Sequence, residues 1–341
     1  MSAAIPNTPR LSKPHLLDRI IQAIRISGWD VLILTDEHPF DLSIFSGDTK
    51  VGLLCYIWNL THGGFPRDPN ELRIQVTGVD QIELREGMRT LLLGWSEALG
   101  VFAGFDATKH QIPMAGRSPS LQIRREALEK AKVNGFYPQS RGSDEIAVAF
   151  RPDFFIPYVL QADELHKTTS ATTEARILEK VAKEEPGEME FPDIPPGERK
   201  QVLQTFTRKV RDARFRRNVL LAYSHRCCMC GLQLDLLDAA HIVPVEHEKG
   251  TDEIKNGLSL CALHHRAFDH ALLGVRKDYS LAHNDKQFSH LRSIGWDGGE
   301  AEFKAALRDQ ILLPSRKAIY PDPDYLVFGQ ELRGWQRRSL S

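Results

Sequence analysis

Cys227, Cys228, Cys230 and Cys261 crowd one short stretch of a 341-residue chain, far from the fifth cysteine, Cys55. A disulfide framework spreads its cysteines, whereas a cluster beside histidines favours metal. Cys227-x-x-Cys230 has the spacing of a metal knuckle, and Cys261-x-x-His264 repeats it. Together they form a Cys₃His set that suits a closed tetrahedral Zn²⁺, which stabilises rather than reacts. The competing reading is a set of buried thiols, and the paired ligand spacing argues against it. Cys228 can replace Cys227 only through the rarer C-x-C spacing. Cys55 reads as a buried strand residue.

The segment NGLSLCALHHRAFDHALLG predicts one helix that ends at Gly274. On a helix, residues three or four apart share a face and adjacent ones diverge. Cys261 and His264 then point one way, and His265 and Asp269 another. One ion cannot easily take all four. The second pair needs a partner from elsewhere, and LLDAAHIVPV, residues 236–245, is β-prone and offers Asp238 and His241. Three apart, these two face opposite sides of an ideal strand. They converge if the strand twists, or if His241 lies at a bend before Pro244.

His241 in AAHIVP, Asn256 in KNGLSL, and His265 with Asp269 in HHRAFD follow in the order of the HNH nuclease motif. The segment resembles that family, a ββα-metal fold of hairpin, loop and helix around one divalent ion. FRRNVLLAYSHRCCMCG resembles the helix and knuckle that lead into the motif in bacterial restriction-type HNH proteins. The resemblance covers roughly 205–275 and, weakly, the tail to about 325. It implies His241 as general base, Asn256 as the brace of its loop, and His265 as a catalytic residue that also binds metal. Asp269 and, as a replacement ligand, Asp238 would complete the site for Mg²⁺ or Mn²⁺. Many members carry a ligand directly before the base, where this chain has Ala240. Phosphodiester hydrolysis needs a deprotonated water and a cation on the phosphate, and these residue types supply both.

A chain of this length predicts two domains. Residues 1–166 read as a mixed α/β domain for target recognition or sensing. Residues 167–197 read as an acidic, proline-rich linker, and 198–341 as the HNH domain with a C-terminal extension. The fold class is therefore α+β with a structural zinc. LLDRIIQAIRISG and IPYVLQADELH predict helices. VLILTD, VGLLCYIW, LRIQVTG, TLLLGWS, GVFAGFDA and EIAVAF predict strands. SLQIRREALEKAKVNG predicts a helix with Ser120 as N-cap and Gly135 as its stop. YSLAHNDKQFSHLRSIGWDG reads as a strand-turn extension. The tail after it reads as a peripheral wrap with a final helix whose basic residues are solvated.

Net charge is −1, so a nucleic-acid surface must be local. The helical stretch 198–224 is such a patch, with Arg211, Arg214, Arg216 and Arg217 as DNA-binding candidates. The plainer reading of a charge run is a solvated face. Trp58, Trp95, Phe102, Phe105 and Phe136 can line a pocket for a flipped or modified base, although strand aromatics are more often core. No apolar run of membrane-spanning length and no signal-peptide core occur in the sequence, which predicts a cytoplasmic protein. The sequence thus predicts a metal-dependent endonuclease acting on DNA, unmodified or modified, in restriction or defence, with homodimerisation as an open option. Alternatives are a zinc-stabilised DNA-binding protein with an inactive centre, cleavage of RNA, and a ligand-triggered nuclease.

Overall fold

The computed structural model describes residues 10–64, 68–111, 118–142, 145–166, 178–179, 181–183 and 198–335. The chain divides into two compact units, 1–210 and 211–341. Most of the expected linker lies outside the described residues. Within it, 178–179 and 181–183 are helical, and Leu178 and Val181 are buried.

The first unit is built on a seven-stranded sheet. Its strands are β1 (Asp30–Thr35), β2 (Phe40–Ser46), β3 (Thr49–Asn59), β6 (Met88–Ser96), β7 (Val101–Phe105), β10 (Glu145–Phe150) and β9 (Phe136–Arg141), in that spatial order. Every neighbouring pair is antiparallel except β3 with β6. A smaller sheet holds β4 (Thr61–His62), β5 (Glu71–Gln75) and β8 (Ser120–Arg124). Helices α1 (Lys13–Ile26), α2 (Arg125–Asn134) and α3 (Phe155–His166) accompany them.

The apolar runs of β3, β6, β7 and β10 follow from cover on both faces of the large sheet. Tyr56, Trp58, Ala103 and Phe105 pack with the small sheet and α2. Phe102 and Phe150 meet Phe155 and Tyr158 of α3. Trp58, Trp95, Phe102, Phe105 and Phe136 are all buried. These aromatics therefore follow the core reading and do not line a pocket for a base.

Strands β2, β4, β8 and β9 are not among those the sequence predicts. The helix expected over 120–135 is instead a strand followed by a helix. Ser120 does not cap a helix; it opens β8, opposite Gln75. Leu121 and Ile123 alternate inward there with period two, before the helical period begins at Arg125. Gly135 does terminate α2, at φ +101°.

Helix α4 (Glu198–Ala222) spans the boundary between the units. In the first unit its Phe206 packs edge-on against Phe136. In the second, Phe215, Val219 and Leu220 enter a core with Leu258, Leu260 and Phe268. That core is framed by an antiparallel hairpin, β11 (Leu237–His241) with β12 (Gly257–Cys261), followed by α5 (Ala262–Asp269). A second hairpin, β13 (Leu273–Val275) with β14 (Leu281–His283), precedes α6 (Asp285–Ser293), α7 (Glu300–Ala305) and α8 (Pro323–Leu332).

The long helix expected over 256–274 is corrected by these assignments. Gly257–Cys261 is fully buried and pairs with β11, so a ladder of hydrogen bonds replaces the first helical turns. The helix begins after Cys261 and ends at Asp269, and Gly274 lies in β13. The strand-turn reading after residue 279 holds for Leu281–His283, which forms β14, but not beyond it, because Asn284 caps α6 by accepting the Gln287 N–H.

Candidate metal centre and catalytic cleft

The knuckle forms where α4 ends. The Gly231 N–H donates to the Cys227 carbonyl at 2.8 Å, closing a turn that presents Cys227 and Cys230. Cys261 stands at the end of β12 opposite Leu237, and one helical turn later His264 points back toward it. The ligand atoms of Cys227, Cys230, Cys261 and His264 all lie within 4.8 Å of one another. Nδ1 of His264 is 3.2 Å from the Cys261 sulfur and 3.5 Å from that of Cys227. Ligand atoms on a tetrahedral zinc are separated by roughly 3.4–3.8 Å, given Zn–S and Zn–N bonds of about 2.3 and 2.0 Å. The four residues therefore fit a zinc ion in both chemistry and spacing.

Hydrogen bonds first from Cys261 and then from His264 hold the Cys227 thiol well below the usual thiol range, while the same contact pushes Cys261 up. Cys228 is not part of the set. It is fully buried, its N–H donates to Ser259, its carbonyl accepts from Leu312, and burial pushes its thiol up. Cys55 lies buried in β3, as expected.

His241 ends β11, directly opposite Gly257. A side chain at Gly257 would strike Val219 and Phe215, so glycine lets α4 lie close against the hairpin. Phe215 then stacks flat on the His241 ring. Along β11, Leu237 and Ala240 are buried, while Asp238 and His241 are half-exposed. This spacing of three suits the strong twist of a two-stranded ribbon. It puts both residues on one cleft of about 410 Å³, together with Phe215, Arg216, Asp269 and Arg333.

Asn256 is fully buried and staples the intervening loop. Its Oδ1 accepts from the Val243 N–H, and its Nδ2 donates to the carbonyls of Val243 and Thr251, each at 2.8 Å. The residue after Thr251 is Asp252, whose Oδ1 lies 3.0 Å from Nε2 of His241. Its Oδ2 accepts from Arg211 at 3.0 Å. The bond from His241, with Arg211 beside it, holds the Asp252 carboxyl below the usual carboxylate range against the opposing effect of burial.

His265 lies between two carboxylates. Its Nδ1 is 3.9 Å from Asp238 and its Nε2 is 3.5 Å from Asp269. Ligand atoms on neighbouring positions of an octahedral cation are roughly 3 Å apart, and opposite ones about 4.2 Å. Each gap can therefore bracket a divalent ion, but the gaps lie at opposite ring nitrogens. Asp238 also accepts from Nε of Arg216 at 2.9 Å. Of the expected DNA-contacting arginines, Arg211 and Arg216 thus hold site carboxylates. Arg214 is half-exposed and Arg217 exposed on α4.

Sequence reading missed Asp252 and Arg333. Asp252 carried one signal, its place in the short loop before Asn256. Arg333 follows α8, where Gly329 permits close approach to Ile242. Its guanidinium donates to the carbonyls of His241 and Ile242, lies 4.1 Å over the Phe268 ring, and is 3.9 Å from Asp269. Burial lowers its pKa. Arg333, in a tail whose basic residues are expected to be solvated, therefore lines the cleft.

A hairpin, a stapled loop and a helix hold an imidazole and carboxylates around one cleft, beside a Cys₃His knuckle, which is the ββα arrangement. Residues 227–276 match the family described as HNH endonuclease, so the chain carries an HNH endonuclease domain and is a phosphodiester hydrolase of that metal-dependent class. Residues 51–159 match a second family, described as methylase-associated X1. One solved structure, a modification-dependent TagI restriction endonuclease, is 14% identical and has a TM-score of 0.29; the match covers 81% of this chain and 80% of that one. No curated protein matches the chain in sequence. Among the described residues, no helix is long and apolar enough to cross a membrane.

Proposed function

We propose that the protein is a restriction-type endonuclease of the cytoplasm that hydrolyses DNA phosphodiesters with Mg²⁺ or Mn²⁺, His241 accepting the proton of the attacking water. The observation that carries this reading is the cleft itself, where His241 and the acidic flank of His265 meet. A divalent ion bound there would stabilise charge on the phosphate and on the leaving oxygen. The residues of the chain supply the rest. Phe215 and Asp252 hold the imidazole in place, Asn256 fixes the loop that carries Asp252, and Arg333 fixes the backbone at His241.

In this reading residues 1–166 select the target, 167–197 link the two domains, and 198–341 cut. The methylase-associated family match over 51–159 favours a target choice tied to DNA methylation. Arg214 and Arg217 on α4 would track the phosphate backbone. Cutting both strands with one centre per chain calls for a homodimer, which sedimentation on DNA would detect.

The test is a nicking assay on unmodified, methylated and hypermodified DNA with each metal. The wild type should cut at least one substrate, and His241→Ala should abolish cutting while the thermal melt stays unchanged. Retained cutting by His241→Ala would remove His241 as the base. Binding without cutting by the wild type would point instead to a DNA-binding protein with an inactive centre.

A further inference from the structure

We infer that Asp252 is a positioning residue that fixes the tautomer of His241, placing its proton on Nε2 and leaving Nδ1 as the nitrogen that accepts a proton in catalysis. The inference rests on the endonuclease reading above for its consequence, but its geometry stands apart from it.

The Asp252 side chain is 4% exposed, against 22% for His241. A buried carboxylate needs donors on both oxygens. Arg211 supplies Nε at 3.2 Å and Nη2 at 3.0 Å to one oxygen. His241 Nε2 faces the other at 3.0 Å. Beside a guanidinium the carboxylate is ionised, and an ionised carboxylate only accepts. Nε2 must therefore donate. A neutral imidazole carries one N–H, so Nδ1 is bare and basic. The depressed pKa of Asp252 agrees with its ionised state.

Two further contacts keep this arrangement rigid. Phe215 lies against the imidazole with ring planes 6° apart, which resists rotation of the ring. Asn256 holds the carbonyl of Thr251 at 2.8 Å, which fixes the backbone beside Asp252.

Asp252→Asn should reverse the donor and acceptor roles at His241. Arg211 needs an acceptor, so the amide oxygen will turn to it and the NH₂ will face Nε2. Two donors cannot meet, and the imidazole proton must move to Nδ1. The experiment uses full-length protein labelled with ¹⁵N-histidine, with the His241 signals assigned by their loss in His241→Ala. Nicking is measured alongside with Mn²⁺.

The wild type should show the proton on Nε2. Asp252→Asn should show it on Nδ1, with an unchanged melt and nicking lower by about 10⁴-fold, the scale expected when a triad aspartate becomes asparagine. Asp252→Glu, which restores an acceptor, should return the Nε2 tautomer and part of the rate. A wild-type proton on Nδ1, or Asp252→Asn nicking at the wild-type rate, would overturn the inference. If Asp252→Asn does not fold, the wild-type and Asp252→Glu spectra decide it. A wild type that never cuts would defeat the endonuclease reading while leaving the tautomer result to stand or fall by itself.

Discussion

Phe215 lies flat on His241, with ring centroids 3.7 Å apart and planes 6° from parallel. One residue is on a helix before the knuckle and the other ends the first hairpin strand. The contact therefore couples the packing of α4 to the aim of the proposed base. Replacing Phe215 with leucine keeps an apolar filler but removes the flat face. Nicking should fall by about tenfold with little change in melting, a loss of about 1.4 kcal/mol in transition-state stabilisation. Phe215→Ala should instead lower stability by about 3–5 kcal/mol, measured by urea unfolding.

The knuckle should hold about one zinc ion per chain, measured by metal analysis of purified protein. Cys230→Ser should lose that metal and melt at a markedly lower temperature, because zinc binding contributes to the stability of the unit 211–341. Cys228→Ala should keep the metal, since the Cys228 thiol lies in the core outside the ligand set.

The two carboxylates beside His265 should not be equivalent. Asp238 is already neutralised by Arg216 at 2.9 Å, whereas Arg333 stands 3.9 Å from Asp269. The cation should therefore bind between His265 and Asp269. Asp269→Asn should raise the Mn²⁺ concentration for half-maximal nicking by about tenfold or more. Asp238→Asn should raise it less. A titration of nicking rate against Mn²⁺ checks both, and the reverse order would move the ion to the Asp238 side.

Arg333 donates to two backbone carbonyls beside the base. Arg333→Met preserves the stem over Phe268 but leaves those carbonyls without their donor. Stability should drop by about 1–3 kcal/mol in chemical denaturation. Nicking should fall as well, with the metal requirement nearly unchanged.

Lys13 in the first unit gives a pH signature. Burial lowers its pKa to about 7, its ammonium donates to the Ile57 carbonyl, and it sits 4.4 Å over Trp58. Because the folded value is depressed below that of the unfolded chain, the unfolded chain binds the extra proton between pH 7 and the ordinary lysine range near 10.4. Stability then rises with pH across that window. Lys13→Met should raise the melting temperature more at pH 6.5 than at pH 10. An equal shift at both would rule out a buried, depressed lysine.

Much of the site was legible because its logic is local. The knuckle spacing of Cys227 with Cys230, and the turn that separates Cys261 from His264, dictate which side chains can share an ion. The four-residue step from His265 to Asp269 does the same on α5. What was misread follows from ambiguity in short apolar runs. Leu258 and Leu260 satisfy a helical stripe and a strand equally well, and pairing with β11 chose the strand. Ser120 to Arg124 misled in the same way, until pairing with β5 settled it.

The sequence by itself therefore determined the donor chemistry, because ligand spacing along a chain is a property of backbone geometry over a few residues. The tertiary structure decided how the imidazole is aimed. Asp252, Phe215 and Arg333 reach His241 from a loop, a helix and a tail that meet only after the chain has folded, and no short-range pattern records such a meeting.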